Sequence, residues 1–146
     1  MIMLSAENAA AIGAEGEAAY PNECCGVLLG KLEAGTGGSP DRRETESLLP
    51  VVNKREDAEQ YHRFEITPED YLHAEKEARR QNRDILGFYH SHPDHPAIPS
   101  DFDKNNALPF YSYVIVSVAK GKAAGLRSWE LVADRSEFRE EDITWR

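Results

Sequence analysis

The stretch Gly87-Phe88-Tyr89-His90-Ser91-His92-Pro93, continuing through Pro96 and Pro99 to Ser100-Asp101-Phe102-Asp103, holds both a buried-strand pattern and a set of metal-ligating side chains. Asp84 to Ser91 reads as a strand, and residues two apart on a strand face the same side. His90 and His92 therefore offer both imidazoles to one point, while Ser91 faces away. Seven residues, with Pro93, Pro96 and Pro99 among them, separate His92 from Ser100 and form a stiff loop that turns the chain back. Ser100-Asp101-Phe102-Asp103 has the pattern of a helix start, so Asp103 brings a carboxylate from a new element. Two neutral imidazoles and one carboxylate suit Zn²⁺, and three protein ligands leave one tetrahedral position open for water. That is the stoichiometry of a catalytic zinc; a structural zinc closes all four positions, usually with thiolates.

Other readings of these residues stand beside this one. Asp94 and His95 lie in the same loop and compete as ligands; Asp103 is preferred because an ordered element holds a ligand more firmly than a loop tip. Ser100 with Asp103 also reads as a plain helix cap. His62 and His73 have no partner at comparable spacing and are expected to be structural or exposed. The two cysteines, Cys24 and Cys25, are adjacent, so they cannot staple distant parts of a fold, and beside a strand they read as small buried residues.

Working outward, Ser5 to Ala19 is rich in Ala and Glu, with Ser5 placed to cap an opening helix and Pro21 beyond its end. Cys25 to Gly30 is a short apolar run expected to be a buried strand. Lys31 to Arg43, with four residues of Gly or Pro, reads as a mobile surface loop. Strands are expected over Glu46–Asn53, with Pro50 marking an edge or a break, and over Arg63–Ile66. Thr67-Pro68-Glu69-Asp70 starts a helix running to about Gln81, with Tyr71, Leu72, Ala74 and Ala78 toward the core. Tyr111–Val118 is the clearest strand, and Arg127–Val132 and Phe138–Trp145 complete the sheet. Strands alternating with helices imply a mixed α/β layer protein.

The 146 residues fit one domain, 1–146, with 40% hydrophobic and 29% charged residues. A net charge of −9 opposes binding to nucleic acid or to an anionic membrane. No apolar run reaches the roughly 20 residues of a membrane helix, and Met1 to Glu7 lacks the features of a secretory signal, so a cytoplasmic location is expected.

His90-x-His92, seven residues, then Ser100-x-x-Asp103 resembles the JAMM signature of the MPN-domain metalloproteases. Pro21-Asn22-Glu23-Cys24-Cys25-Gly26-Val27-Leu28-Leu29-Gly30 resembles that family's upstream block, in which a Glu precedes the first strand. The likeness runs from about Tyr20 to Val118. It implies an MPN (JAMM, cytidine-deaminase-like) fold, a mixed β-sheet flanked by helices. It also implies that His90, His92 and Asp103 are zinc ligands, that Glu23 is the general base, and that Ser100 stabilises the oxyanion. Nothing in the residues alone singles out Glu23 among the many acidic side chains. Members of this family cleave after the C-terminal Gly-Gly of ubiquitin-like proteins, and small prokaryotic ones trim sulfur-carrier proteins. The short passage from Asp103 to Pro109 lacks the long insertion of many deubiquitinases, which favours the compact prokaryotic type. The alternative is a non-catalytic MPN interaction module; such relatives typically lack ligands. Oligomeric state is not readable.

Overall fold

The computed structural model describes residues 1–146. Its strands are β1 (Ile2–Leu4), β2 (Cys25–Glu33), β3 (Arg42–Val51), β4 (Asp84–Pro93), β5 (Ser112–Ala119), β6 (Lys122–Leu131), β7 (Phe138–Glu141) and β8 (Ile143–Trp145). The helices are α1 (Ala6–Ala19), α2 (Pro68–Arg80) and α3 (Asp101–Asn106). One eight-stranded sheet runs in the order β7-β6-β5-β4-β2-β3-β1-β8. β4 and β5 are parallel, joined across α3, whereas β2 is antiparallel to both of its neighbours, β3 and β4.

Alternation along the strands divides the core into two layers. Leu28, Tyr89, Val114, Val116 and Val118 pack with Ile12 of α1 on one face. Val27, Leu29, Phe88 and Tyr113 pack with Ala74 and Ala78 of α2 on the other. Both longer helices start as the sequence foretells. Ser5 exchanges hydrogen bonds with Asn8 at 3.0 and 3.3 Å, and Thr67 with Asp70 at 3.1 and 3.0 Å, each pair satisfying two otherwise orphaned backbone donors. Glycine is required where β4 meets β5: a Cβ on Gly87 would lie 1.9 Å from the Ser112 carbonyl oxygen.

Several expectations are corrected. The loop expected over Lys31–Arg43 shrinks to residues 34–41, because β2 extends to Glu33 and β3 begins at Arg42. Arg43 is buried, donating to Ser112 Oγ and Glu130 Oε1 at 3.1 Å each and to the Phe110 carbonyl at 3.1 Å. Pro50 does lie at a local edge, since β1 pairs with β3 only at Arg43 and Glu44. Residues 63–66 form no strand. Asn53 replaces a ladder there: its Nδ2 donates to the Arg63 carbonyl at 3.0 Å and its Oδ1 accepts from Glu65 N–H at 3.1 Å. In α2, Ala74 and Ala78 are buried, but Leu72 is about half exposed. The C-terminal run is two strands rather than one, broken at Asp142, and β1 ahead of α1 was not foreseen.

Candidate metal centre

β4 ends with Phe88, His90 and His92 on the face shared with α2, while Tyr89 and Ser91 turn to α1. The chain leaves at Pro93, turns through Asp94 and returns to Ser100, the N-cap of α3. Here the cap also places the Asp103 carboxylate. Ser100 N–H donates to Asp103 Oδ2 at 3.0 Å, and Asp103 N–H donates to Ser100 Oγ at 3.1 Å. The same Oδ2 lies 3.2 Å from His90 Nε2 and 3.1 Å from His92 Nε2, and the two imidazole nitrogens are 3.1 Å apart.

These three atoms make a nearly equilateral triangle, all three residues are buried, and they are the cluster able to hold a metal ion. A tetrahedral ion with bonds of about 2.0–2.1 Å places its ligand atoms about 3.3–3.4 Å apart, so the spacing fits. Tautomer chemistry agrees. His92 Nδ1 sits 2.8 Å from the Pro96 carbonyl, which can only accept, so Nδ1 carries the proton and Nε2 keeps its lone pair for a cation. Complete burial lowers the proton affinity of His90, favouring the neutral, ligating form. The Phe64 ring stacks on His90, centroids 4.4 Å apart, and fixes its plane.

Glu23 reaches the same face through strand register. Cys25 is paired with His90, Ser91 N–H donates to the Cys24 carbonyl at 3.2 Å, and Cys24 N–H donates to Ser91 Oγ at 2.8 Å. Continued by two residues, that antiparallel register sets Glu23 opposite His92, and directly opposed residues share a face. Glu23 is 4% exposed, and its Oε1 has no hydrogen-bond partner. Burial, reinforced by the nearby Asp103 charge, pushes its carboxyl up to about 9. A buried carboxylate oxygen without a partner, on the face of His92 and within reach of the Asp103 charge, is a second feature that fits a place for a cation and a polar occupant.

Of the competing residues, Asp94 and His95 are both exposed, and Asp94 accepts from Tyr20 O–H at 2.6 Å and Lys120 N–H at 2.8 Å; neither belongs to the cluster. Ser100 is exposed, and its hydroxyl accepts a bond but donates none within the chain. The two thiols, one just ahead of β2 and one at its first residue, are buried and pushed up by burial, Cys24 to about 11 and Cys25 to about 12, so neither is a ready nucleophile. Asn53 carries no signal of its role in the sequence Val51-Val52-Asn53-Lys54: it grips the Glu23 carbonyl at 3.2 Å as well as the 54–66 segment.

A single mixed α/β sheet flanked by helices, with a His-His-Asp cluster at the end of a central strand, is a fold of the JAB/MPN type. The model of the family described as prokaryotic homologs of the JAB domain matches residues 5–132, and this chain belongs to that family. Among curated relatives it is similar to desampylase of Haloferax volcanii, 35% identical over 98 residues. It is also similar to tail tip assembly protein K of Escherichia phage N15, 35% identical over 94 residues. The matches take in 66% and 64% of this chain but only 63% and 31% of those proteins. Among solved structures, a Desulfitobacterium hafniense protein superposes with a TM-score of 0.82 at 31% identity, covering 100% of this chain and 93% of its own. A JAB1/MPN domain protein from Archaeoglobus fulgidus, 17% identical, shares the fold with a TM-score of 0.56 over 100% of this chain and 96% of its own.

Proposed function

We propose that this protein is a zinc-dependent peptidase that hydrolyses the bond after the C-terminal Gly-Gly of a ubiquitin-like or sulfur-carrier protein. One observation carries the reading: the triangle of His90 Nε2, His92 Nε2 and Asp103 Oδ2 lies on the same sheet face as a buried Glu23 with an unpartnered oxygen. The likeness to a desampylase supports the substrate class.

His90, His92 and Asp103 would hold the ion, which when bound supplies Lewis acidity and lowers the pKa of water to about 7. Glu23 takes the proton of the attacking water and passes it to the leaving amine nitrogen, so that C–N cleavage releases a neutral amine. Its burial suits the task, because a carboxylate held in a poorly solvated place is a stronger base than one in water. Ser100 directs its free O–H at the carbonyl oxygen as negative charge develops there. Asn53 and Ser91 keep Glu23 in place through its own carbonyl and through the Cys24 backbone. A non-catalytic module would have no use for such a carboxylate.

The test is to incubate zinc-loaded protein with ubiquitin-like carriers bearing C-terminal extensions and to weigh the products. Release immediately after the terminal glycine, abolished by a chelator and restored by zinc, is expected. Intact carriers in every case would refute the assignment.

A further inference from the structure

His90 and Asp103 also form one wall of a pocket of about 230 Å³ whose remaining walls are mainly apolar, with Phe88, Tyr113, Phe102 and Phe138 among them. Small-molecule and cofactor sites usually run to about 300–1,000 Å³, so this one is scaled to a single large side chain. Its walls are fixed in advance. Phe88 stacks on Tyr113 with centroids 5.7 Å apart, and Phe138 meets Tyr113 edge-on at 5.7 Å. Phe102 lies under the guanidinium groups of Arg63 and Arg55, at 4.6 and 5.3 Å, and Glu59 ties both arginines at 3.1 and 2.8 Å.

A Gly-Gly tail has no side chain to put there. Because the pocket begins at His90 and Asp103, its occupant must lie within about one residue of the scissile bond. On the acyl side those positions are both glycine. We infer that the pocket takes the side chain of the residue on the amine side, and that the protein prefers Gly–X peptide bonds in which X is bulky and apolar or aromatic. This rests on the hydrolytic reading above. The chemistry balances with water alone: its oxygen bonds to the glycyl carbonyl carbon, the C–N bond breaks, and the nitrogen of X gains the proton. Water leaves an apolar pocket cheaply, so filling it favours the substrate whose side chain fits.

Zinc-loaded protein should be given a carrier tail ending Gly-Gly-X with X as Phe, Trp, Leu or Ala, and the same carrier joined to a lysine side chain. kcat/KM for Phe is expected to exceed that for Ala by about tenfold or more. Ala107→Leu, which fills the pocket from its buried side, should bring that ratio close to one, and Phe138→Ala should shift the preference toward Trp. Equal rates for Phe and Ala, a preference unchanged in both variants, or faster turnover of the lysine conjugate would overturn the inference. If no substrate is cleaved, the hydrolytic reading fails separately, and binding decides the pocket. Phenylalaninamide that shifts the NMR signals of Ala107 and Phe138, while glycinamide does not, upholds it; no shift with either overturns it.

Discussion

Replacing Glu23 by Gln is expected to stabilise the metal-free protein while disabling it. The Glu23 carboxyl, ordinarily near 4.5, is pushed up to about 9 by burial and by the Asp103 charge. A raised carboxyl pKa means that the fold favours the protonated form, so its contribution is fully present below the unfolded value and is lost as pH rises from about 4.5 toward 9. At pH 7.5, three units above the ordinary value, a cost of about 1.4 kcal/mol per unit gives about 4 kcal/mol, and relaxation around the site leaves about 2–4. Gln keeps the neutral shape at every pH. In chelator, Glu23→Gln should therefore match the parent to within about 1 kcal/mol at pH 5 and exceed it by about 2–4 kcal/mol at pH 7.5, raising Tm by about 6–12 °C. The difference between the two pH values isolates Glu23, because other titrating groups are common to both proteins. Zinc should shrink the gain, since a cation favours the ionised carboxylate that only the parent has. Turnover of the zinc form should fall by about 10²–10⁴ as the base is lost. Thermal melts at the two pH values, with and without zinc, read all of this. An equal gain at pH 5 and 7.5, or turnover retained in the variant, would refute the assignment.

Ser100 caps α3, and its proposed oxyanion role can be tested apart from the cap. Ser100→Ala should cost about 1 kcal/mol through the lost α3 cap and lower kcat by about 10²–10³. Ser100→Asp should restore the urea midpoint but not kcat, because a carboxylate caps the helix yet offers no proton to an oxyanion; unchanged kcat in the Ala variant would leave Ser100 as a cap alone. Asn53→Ala removes bonds to the Glu23 and Arg63 carbonyls at 3.2 and 3.0 Å and from the Arg55 and Glu65 amides at 2.9 and 3.1 Å. A loss of about 2–4 kcal/mol in urea titration is expected, with faster amide exchange at Glu65 and a lower kcat at little-changed KM. A loss under about 1 kcal/mol would show that water replaces the side chain.

The ligand cluster was legible because each of its parts is local. Two histidines two apart on a strand share a face whatever the rest of the chain does, and a capping box places Asp103 by backbone bonding within one turn. What depended on distant partners was not legible. Arg63–Ile66 has strand composition, yet a single Asn53 side chain takes up the backbone groups that a neighbouring strand would have paired. Leu72 follows a helical apolar pattern, yet the face it occupies is left uncovered. The pocket draws its walls from β4, β5, β7, α3, α2 and the coil before α2, and no window of sequence contains them together.

Glu23 is the sharpest case, since only the pairing of β2 with β4 brings it to the face of the sheet that carries His90 and His92. A slip of one residue would turn its side chain to the α1 face and leave the cluster without a neighbouring carboxylate. Two devices oppose that slip. Tyr89 lies across Gly26, its opposite number, so closely that a Cβ on Gly26 would come within 2.2 Å of the ring, and the Tyr89 hydroxyl is anchored to Glu15 Oε2 at 2.7 Å. In the shifted register Tyr89 would face a residue that carries a side chain, and the ring would have nowhere to lie. Ser91 supplies the second device: its amide and hydroxyl bind the two backbone groups of Cys24, immediately beside Glu23. Ser91, which as a sequence reads only as the residue that faces away from the His-His-Asp cluster, is thus the one whose turn to the other face holds Glu23 in line with His92.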